Sequence, residues 1–383
     1  MVLNKNTEFC CCHFVTMKAP IFIRILIFSI VIQFTACNSA KQSLITPSKK
    51  PKRIIFLVGD GMGLSQISTL FLQKDNTNSF KRFKTIGFIN TQSGSHKITD
   101  SAAGATAFAC GEKTYNGAIG VDMDTNSKAN LIEKFSEKNY VTGLIATSSI
   151  THATPACFYA HTSHRRNEFD IAKQLLKSDV DFFAGGGRDF LREMSAEMQL
   201  YNWNIDTSDE QDWKSITFHP DSKYGYLLSG NGMRTIVNGR GDFLYNATKA
   251  SLRYIDNRKS FMMIEGSQID WGGHANDYEY VFAEMKDFDK TVGAVLNYAE
   301  KDGNTLVVVT ADHETGGLAL KPASYLDVDG ITHNNYDEVE GSFNTGGHTA
   351  ALIPVFAYGP GANEFQGFYE NTEIFNKFLK LMK

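Results

Sequence analysis

From Lys50 onward, short runs of apolar residues alternate with stretches of helical periodicity, and few architectures are compatible with that alternation. Candidate strands are Arg53–Val58, Thr142–Ala146, Val180–Ala184, Phe261–Ile264, Thr305–Val309 and Pro354–Ala357. Most are apolar throughout, not at every second position, which is the pattern of strands covered on both faces. Helical periodicity covers Leu131–Lys138, Phe169–Lys177, Tyr280–Ala299 and Thr372–Lys383. Strands alternating with helices predict an α/β fold with a large, mostly parallel central sheet flanked by helices on both faces. At 383 residues, 42% of them hydrophobic, the chain can bury such a core in one large domain or two. Two stretches break the pattern: 199–231, polar and aromatic with Trp203 and Trp213, and 324–344, acidic and rich in Asn and Gly. Both are expected as surface insertions near the mouth of a site.

The N-terminal segment reads differently. Met17-Lys18 offers a second start, Arg24 follows, and the apolar run Ile25–Ile32 leads to Phe34-Thr35-Ala36-Cys37. The run is too short to span a bilayer comfortably and has the basic, apolar and small-residue zones of a signal peptide. The expected division is an upstream extension over 1–16, a signal peptide over 17–36, a linker over 37–50 and the main folded domain over 51–383. Cys37 after Thr-Ala is similar to a bacterial lipoprotein signal, with Phe34 where leucine is more usual, and predicts lipid attachment there. The alternative is an ordinary exported protein whose Cys37 is incidental. Either way the expected location is the periplasm or cell envelope. A net charge of -4 without a basic block argues against a nucleic-acid-binding module. Only Cys110 and Cys157 lie beyond Cys37, too few for a disulfide framework, and they are expected as buried free thiols.

The chemistry concentrates at strand ends. Asp100-Ser101-Ala102-Ala103-Gly104-Ala105-Thr106-Ala107 places a serine ahead of a run of very small residues. Small side chains let a helix pack tightly on a sheet, leaving the hydroxyl at its positive end. A capped helix without chemistry is the plainer reading of that octapeptide alone. Elsewhere the first strand ends in Gly59-Asp60-Gly61-Met62-Gly63, and Phe261–Ile264 runs into Glu265, Asp270, Trp271 and His274. Thr305–Val309 runs into Asp312-His313-Glu314-Thr315, and Gly347-His348 precedes the last strand. Ligands of open α/β sheets gather outside the carboxyl strand ends, where these residues fall. Mixed nitrogen and oxygen donors suit zinc, and oxygen-only sets suit magnesium. Metal binding is the expected consequence.

Together, Gly-Asp-Gly-Met-Gly, Thr99-Asp100-Ser101-Ala102-Ala103, Lys113-Thr114-Tyr115-Asn116-Gly117, His152-Ala153-Thr154-Pro155-Ala156, Asp312-His313 and Gly347-His348-Thr349 resemble the alkaline phosphatase family. The resemblance runs from about Pro51 to Ala362. It implies hydrolysis of a broad range of phosphate monoesters through a phosphoserine, with two zinc ions and a third metal, usually magnesium. Ser101 would be the nucleophile. Asp60, Asp312 and His313 would hold the zinc that activates it. Asp270, His274 and His348 would hold the second zinc, facing the leaving oxygen. Asp60, Thr154 and Glu265 would hold the third metal. Arg165 would clamp the phosphate and Asp100 would orient it, with Arg166 one residue away as the alternative register. His152 and Trp271 stand where Asp and Lys are common in enterobacterial members, which implies altered magnesium and phosphate affinity. The family's habit also implies a homodimer. A phosphodiesterase or sulfatase of the same superfamily, or a non-catalytic phosphate-binding surface lipoprotein, are the competing readings. The Asp-Ser-Ala-Ala context and the full ligand set argue against them.

Overall fold

Every residue of the first strand, Arg53–Gly59 (β1), is buried, as a strand at the centre of a two-sided core must be. The structure, a computed structural model, describes residues 50–74 and 77–382, so the expected extension, signal peptide and Cys37 lie outside the described residues. The other strands of the main sheet are Thr85–Asn90 (β2), Val141–Ser149 (β3), Phe182–Gly186 (β4), Trp203–Asp206 (β5), Lys223–Ser229 (β6), Ser260–Gly266 (β7), Thr305–Thr310 (β8), Ile353–Tyr358 and Gly367–Glu370. They form one ten-stranded sheet in the order Gly367–Glu370, β2, Ile353–Tyr358, β8, β1, β7, β3, β4, β6, β5. Ile353–Tyr358 runs antiparallel to both its neighbours, and the other pairings are parallel. The expected α/β architecture is therefore the observed one.

Two consequences position the site. First, Val58 of β1 sits opposite Glu265 of β7 and Thr310 of β8, so the three central strands end level with one another. Second, the reversed strand Ile353–Tyr358 begins where its neighbours finish. Residues that precede it, His348 among them, are thereby delivered to the same edge.

The helices follow local rules. Tyr278–Asp302 starts at Asp277, whose side chain accepts from the Tyr280 N–H, and ends at Gly303 in the left-handed region (φ 63°). Ser101–Cys110 is buried along its whole length, which its Ala and Gly content permits. Inside the core Phe108 meets Phe56 edge-on at 5.5 Å, a favoured aromatic geometry. Cys110 and Cys157 are both buried and unpaired.

One expectation is overturned. The 199–231 stretch is not a surface insertion: it supplies β5 and β6, the far edge of the main sheet. Its tryptophans are core residues, Trp203 against Phe183 at 4.9 Å and Trp213 against Tyr226 at 5.0 Å. Polar residues on the exposed parts of an edge strand masked the aromatic face that packs inward. The 324–344 stretch falls largely within a two-stranded antiparallel ribbon, Ala319–Leu326 with Thr332–Ser342, most of whose residues are exposed. Asn344 at its root donates its side-chain N–H to the Gly317 carbonyl at 2.8 Å.

Candidate active site

Asp60 follows β1 directly and is fully buried, yet neither of its carboxylate oxygens has a hydrogen-bond partner. Gly61 next to it adopts φ +74°, and a Cβ there would come within 2.7 Å of the Asp270 backbone. Close approach of the first and seventh strand ends thus requires glycine. Asp312 follows β8; its Oδ1 accepts from the N–H groups of Gly61 at 3.3 Å and His313 at 3.0 Å, while Oδ2 is orphaned. Glu265 closes β7, with Oε2 accepting from the Ser148 hydroxyl at 3.4 Å and Oε1 unpaired. The buried Thr154 hydroxyl is also unpaired.

Three histidines complete the centre. His274 donates Nδ1–H to the Gly346 carbonyl at 2.7 Å, and His348 donates Nδ1–H to the Thr99 carbonyl at 2.8 Å. Those bonds assign both tautomers and leave the two Nε2 lone pairs facing each other at 3.1 Å. Two lone pairs so close to one another, with Asp270 Oδ1 3.4 and 3.6 Å away, describe a cation's position. His313, stacked on His348 at 3.5 Å, turns its Nε2 toward Asp312 Oδ2 at 3.3 Å and Asp60 Oδ1 at 3.5 Å. Asp270, His274 and His348 form one compact ligand group, and Asp60, Asp270 and His313 another.

Ser101 opens its helix, and its Oγ lies 3.3 Å from His313 Nε2. Asp100 caps that helix by accepting from the Ala103 N–H at 3.0 Å, and its other oxygen accepts from Arg165 at 3.2 Å. One carboxylate therefore fixes both the serine and the arginine. The Arg165 guanidinium, through that bond to Asp100, is the one beside the serine, whereas Arg166 next to it is exposed; the Arg165 backbone N–H donates to the Gly117 carbonyl at 2.7 Å. The second guanidinium nitrogen of Arg165 lies 3.2 Å from His152 Nε2, and Trp271 meets the His152 ring edge-on at 6.1 Å.

The electrostatics demand cations. Burial, then the negative charges of Asp312, Asp270 and Glu265, pushes Asp60 well above the usual carboxylate range. Burial raises Asp312 as well, and lifts Glu265 to about 8. Among the described residues the ion-pair partners of these acids are histidines, not Lys or Arg. Burial, together with His348, holds His313 well below its ordinary value, and burial plus the Arg165 charge takes His152 to about 3. Buried carboxylates with orphaned oxygens beside neutral imidazoles are costly unless a metal fills the space. Donors of that kind fit the metals expected from the sequence.

A family model for alkaline phosphatase matches residues 51–224 and 226–340. Alkaline phosphatase 3 of Bacillus subtilis (strain 168) is 31% identical over 412 residues, spanning 87% of this chain and 89% of its own. The chain belongs to the alkaline phosphatase family. It is a phosphoric monoester hydrolase with a metal-binding centre. The alkaline phosphatase of Escherichia coli (strain K12) is 28% identical over 407 residues, covering 86% of this chain and 85% of its own. The solved alkaline phosphatase from the Antarctic bacterium TAB5 gives a TM-score of 0.83 at 48% identity, covering 88% of this chain and 98% of that one. A histidine-to-aspartate mutant of the TAB5 enzyme with magnesium bound in its M3 site gives a TM-score of 0.84 at 48% identity, with 88% and 99% covered.

In this alkaline phosphatase the acids, histidines, serine and arginine expected at the metal and phosphate sites gather at the carboxyl edge of the central strands. Sequence reasoning passed over Glu314 and Thr315. Glu314 accepts from Gln66 at 2.8 Å, from the Gly317 and Leu318 N–H groups and from the Thr349 hydroxyl, tying three ligand-bearing segments together. Adjacency to Asp312-His313 was the available signal.

Proposed function

We propose that the chain hydrolyses phosphate monoesters by forming and breaking a phosphoserine at Ser101. The observation that carries this is the Ser101 hydroxyl, held at a helix start with Arg165 beside it through the shared Asp100 carboxylate. Asp60, Asp312 and His313 would hold one zinc, and Asp270, His274 and His348 the other. Asp60, Thr154 and Glu265, an all-oxygen set, would hold magnesium. The magnesium-bound TAB5 mutant supports a third site of that kind. When bound, the metals supply positive charge to the serine oxygen, the leaving oxygen and the attacking water.

The chain's own groups do the rest. Arg165 presents a planar fork of donors that matches two phosphoryl oxygens. Ser101 Oγ attacks phosphorus as the bond to the alcohol oxygen breaks; the serine hydroxyl gives up its proton to solvent water, and the departing alcoholate takes one from solvent and leaves as the neutral alcohol. Water then attacks the phosphoserine on the opposite side, which restores the Ser101 hydroxyl and releases phosphate. Since phosphoryl transfer needs mainly alignment and charge stabilisation, the leaving group is free to vary. His152, neutral beside Arg165, adds no carboxylate to the magnesium set, so weaker magnesium binding than with an aspartate there is part of the reading.

Side-by-side turnover of an aryl phosphate monoester, a diester and a sulfate ester, with metal content by elemental analysis, tests the whole reading. Diester or sulfate turnover exceeding monoester turnover would refute it. Arg165→Ala is expected to raise KM for the monoester and lower kcat/KM by about 10²–10³-fold, on the scale of losing one transition-state donor. Unchanged kcat/KM would exclude Arg165 from phosphate binding.

We also infer export, with Cys37 as a lipid attachment point on the cell envelope and a homodimer as the assembled form. Two or three acyl chains on one cysteine anchor stably where a single chain does not. Cys37→Ser is expected to move the enzyme from the membrane to the soluble fraction or to block its processing. Unchanged fractionation with unchanged processing would refute the anchor.

A further inference from the structure

Of the three histidines at the centre, two are oriented by backbone carbonyls, those of Gly346 and Thr99. The third, His313, has its Nδ1 3.2 Å from the hydroxyl of Thr315. The same hydroxyl donates to Asp270 Oδ1 at 2.5 Å. A hydroxyl has one proton to give, and an ionised carboxylate only accepts, so that proton goes to Asp270. The oxygen then has lone pairs only for His313, which must carry its proton on Nδ1. His313 Nε2 is thereby left free on the side of Asp60, Asp312 and Ser101.

We propose that Thr315 is a positioning residue that couples the two zinc sites, fixing His313 of one and Asp270 of the other through a single hydroxyl. The residue is itself held from every side. Its N–H donates to the Gly61 carbonyl at 3.2 Å, and its carbonyl accepts from Gln66 at 2.9 Å. It belongs to the two-residue strand Glu314–Thr315, which pairs antiparallel with His348–Thr349 and so fixes the segment bearing His348. Two glycines make room for it. A Cβ at Gly61 would come within 2.8 Å of the Thr315 hydroxyl, and a Cβ at Gly273 within 2.8 Å of its carbonyl oxygen and 2.9 Å of its Cβ. Gly61 follows Asp60 and Gly273 precedes His274, so ligand-bearing segments of both sites close onto Thr315. Groups that orient metal ligands typically change metal affinity by about 10–100-fold when removed. Here one removal unsupports a ligand in each site.

The test is zinc affinity, measured by competition with a chelator on the full chain. It rests on the two-site reading above, so the wild-type chain is titrated first. Failure of the wild type to hold two zinc ions would overturn both readings. Thr315→Val keeps the branched shape without the hydroxyl and is expected to weaken zinc at both sites by about 10–100-fold. Thr315→Ser keeps the hydroxyl and is expected to retain zinc close to the wild type. Nitrogen-15 spectra of the zinc-loaded histidine rings should show a slowly exchanging Nδ1–H on His313 in the wild type and Thr315→Ser, and its loss in Thr315→Val. Should Thr315→Val not fold, Thr315→Ala against Thr315→Ser makes the same comparison. Zinc affinity equal in the hydroxyl-free and hydroxyl-bearing variants, with two zinc ions bound, would overturn the role of Thr315 alone. Weakening confined to one site would overturn the coupling.

Discussion

Ser101→Ala is expected to abolish phosphoenzyme formation and to lower monoester turnover by roughly 10⁴-fold or more. The reasoning is local. The helix keeps its cap, because Asp100 accepts from the Ala103 N–H and not from the serine. The ligands keep their positions, because none of their hydrogen bonds depends on the Ser101 hydroxyl except the 3.3 Å contact with His313 Nε2, which faces the other acids as well. Metal content should therefore match the wild type, and the loss falls on the nucleophile alone. Residual hydrolysis is expected, since Arg165 still binds the phosphoryl group and water remains as an attacking group. Rapid acid quench with labelled substrate, followed by peptide mapping, reads the result. Label trapped on any other residue of the wild type would show that Ser101 is not the nucleophile.

How much of the fold could be read in advance depended on burial. β1, β7 and β8 are apolar runs buried at every position, and continuous hydrophobicity marks them. Thr85–Asn90 escaped because every second residue is less buried, which leaves a short, mixed pattern. β5 and β6 escaped because glycine, lysine and asparagine dilute their aromatic face. The direction of Ile353–Tyr358 could not have been read at all, since an apolar run looks the same for either orientation. That reversal nevertheless decides how His348 reaches the centre from in front of its strand.

At the site, residues with rare chemistry were readable and residues with ordinary chemistry were not. Acids and histidines just past buried strands are conspicuous, because a buried charge needs a reason. Thr315 is a common residue in a two-residue strand, and only its two side-chain hydrogen bonds distinguish it from filler. The choice between Arg165 and Arg166 turns on a single side-chain bond, from the Arg165 guanidinium to the Asp100 carboxylate at 3.2 Å. Sequence adjacency holds no information about that.

Stripping the metals is expected to abolish turnover and to leave a protein whose stability falls as pH rises above neutrality. Asp60, Asp312 and Glu265 are buried without cationic side-chain partners of their own, and burial pushes all three carboxyls up, Glu265 from 4.5 to about 8. A carboxyl with a higher pKa in the folded chain binds more protons folded than unfolded. Its contribution to stability is therefore complete below its unfolded value and lost as pH rises towards the folded one. Buried histidines act with the opposite sign, but in another range. His152 is pushed down to about 3 and His313 well below 6.5, so their contribution is lost only as pH falls below 6.5. Between pH 6.5 and about 8 the carboxylates set the sign. In the metal-free protein, Tm is expected to decline across that window. In the loaded protein it should not, because ligands must be deprotonated to bind, and metal affinity climbs with pH. The same requirement draws turnover to the alkaline side, with chelator inactivation reversed by zinc. Calorimetry of chelated and loaded protein at matched pH, alongside turnover after chelation, measures both arms. A metal-free Tm that rises through the window, or full activity after exhaustive chelation, would show that these carboxylates do not form a cation site.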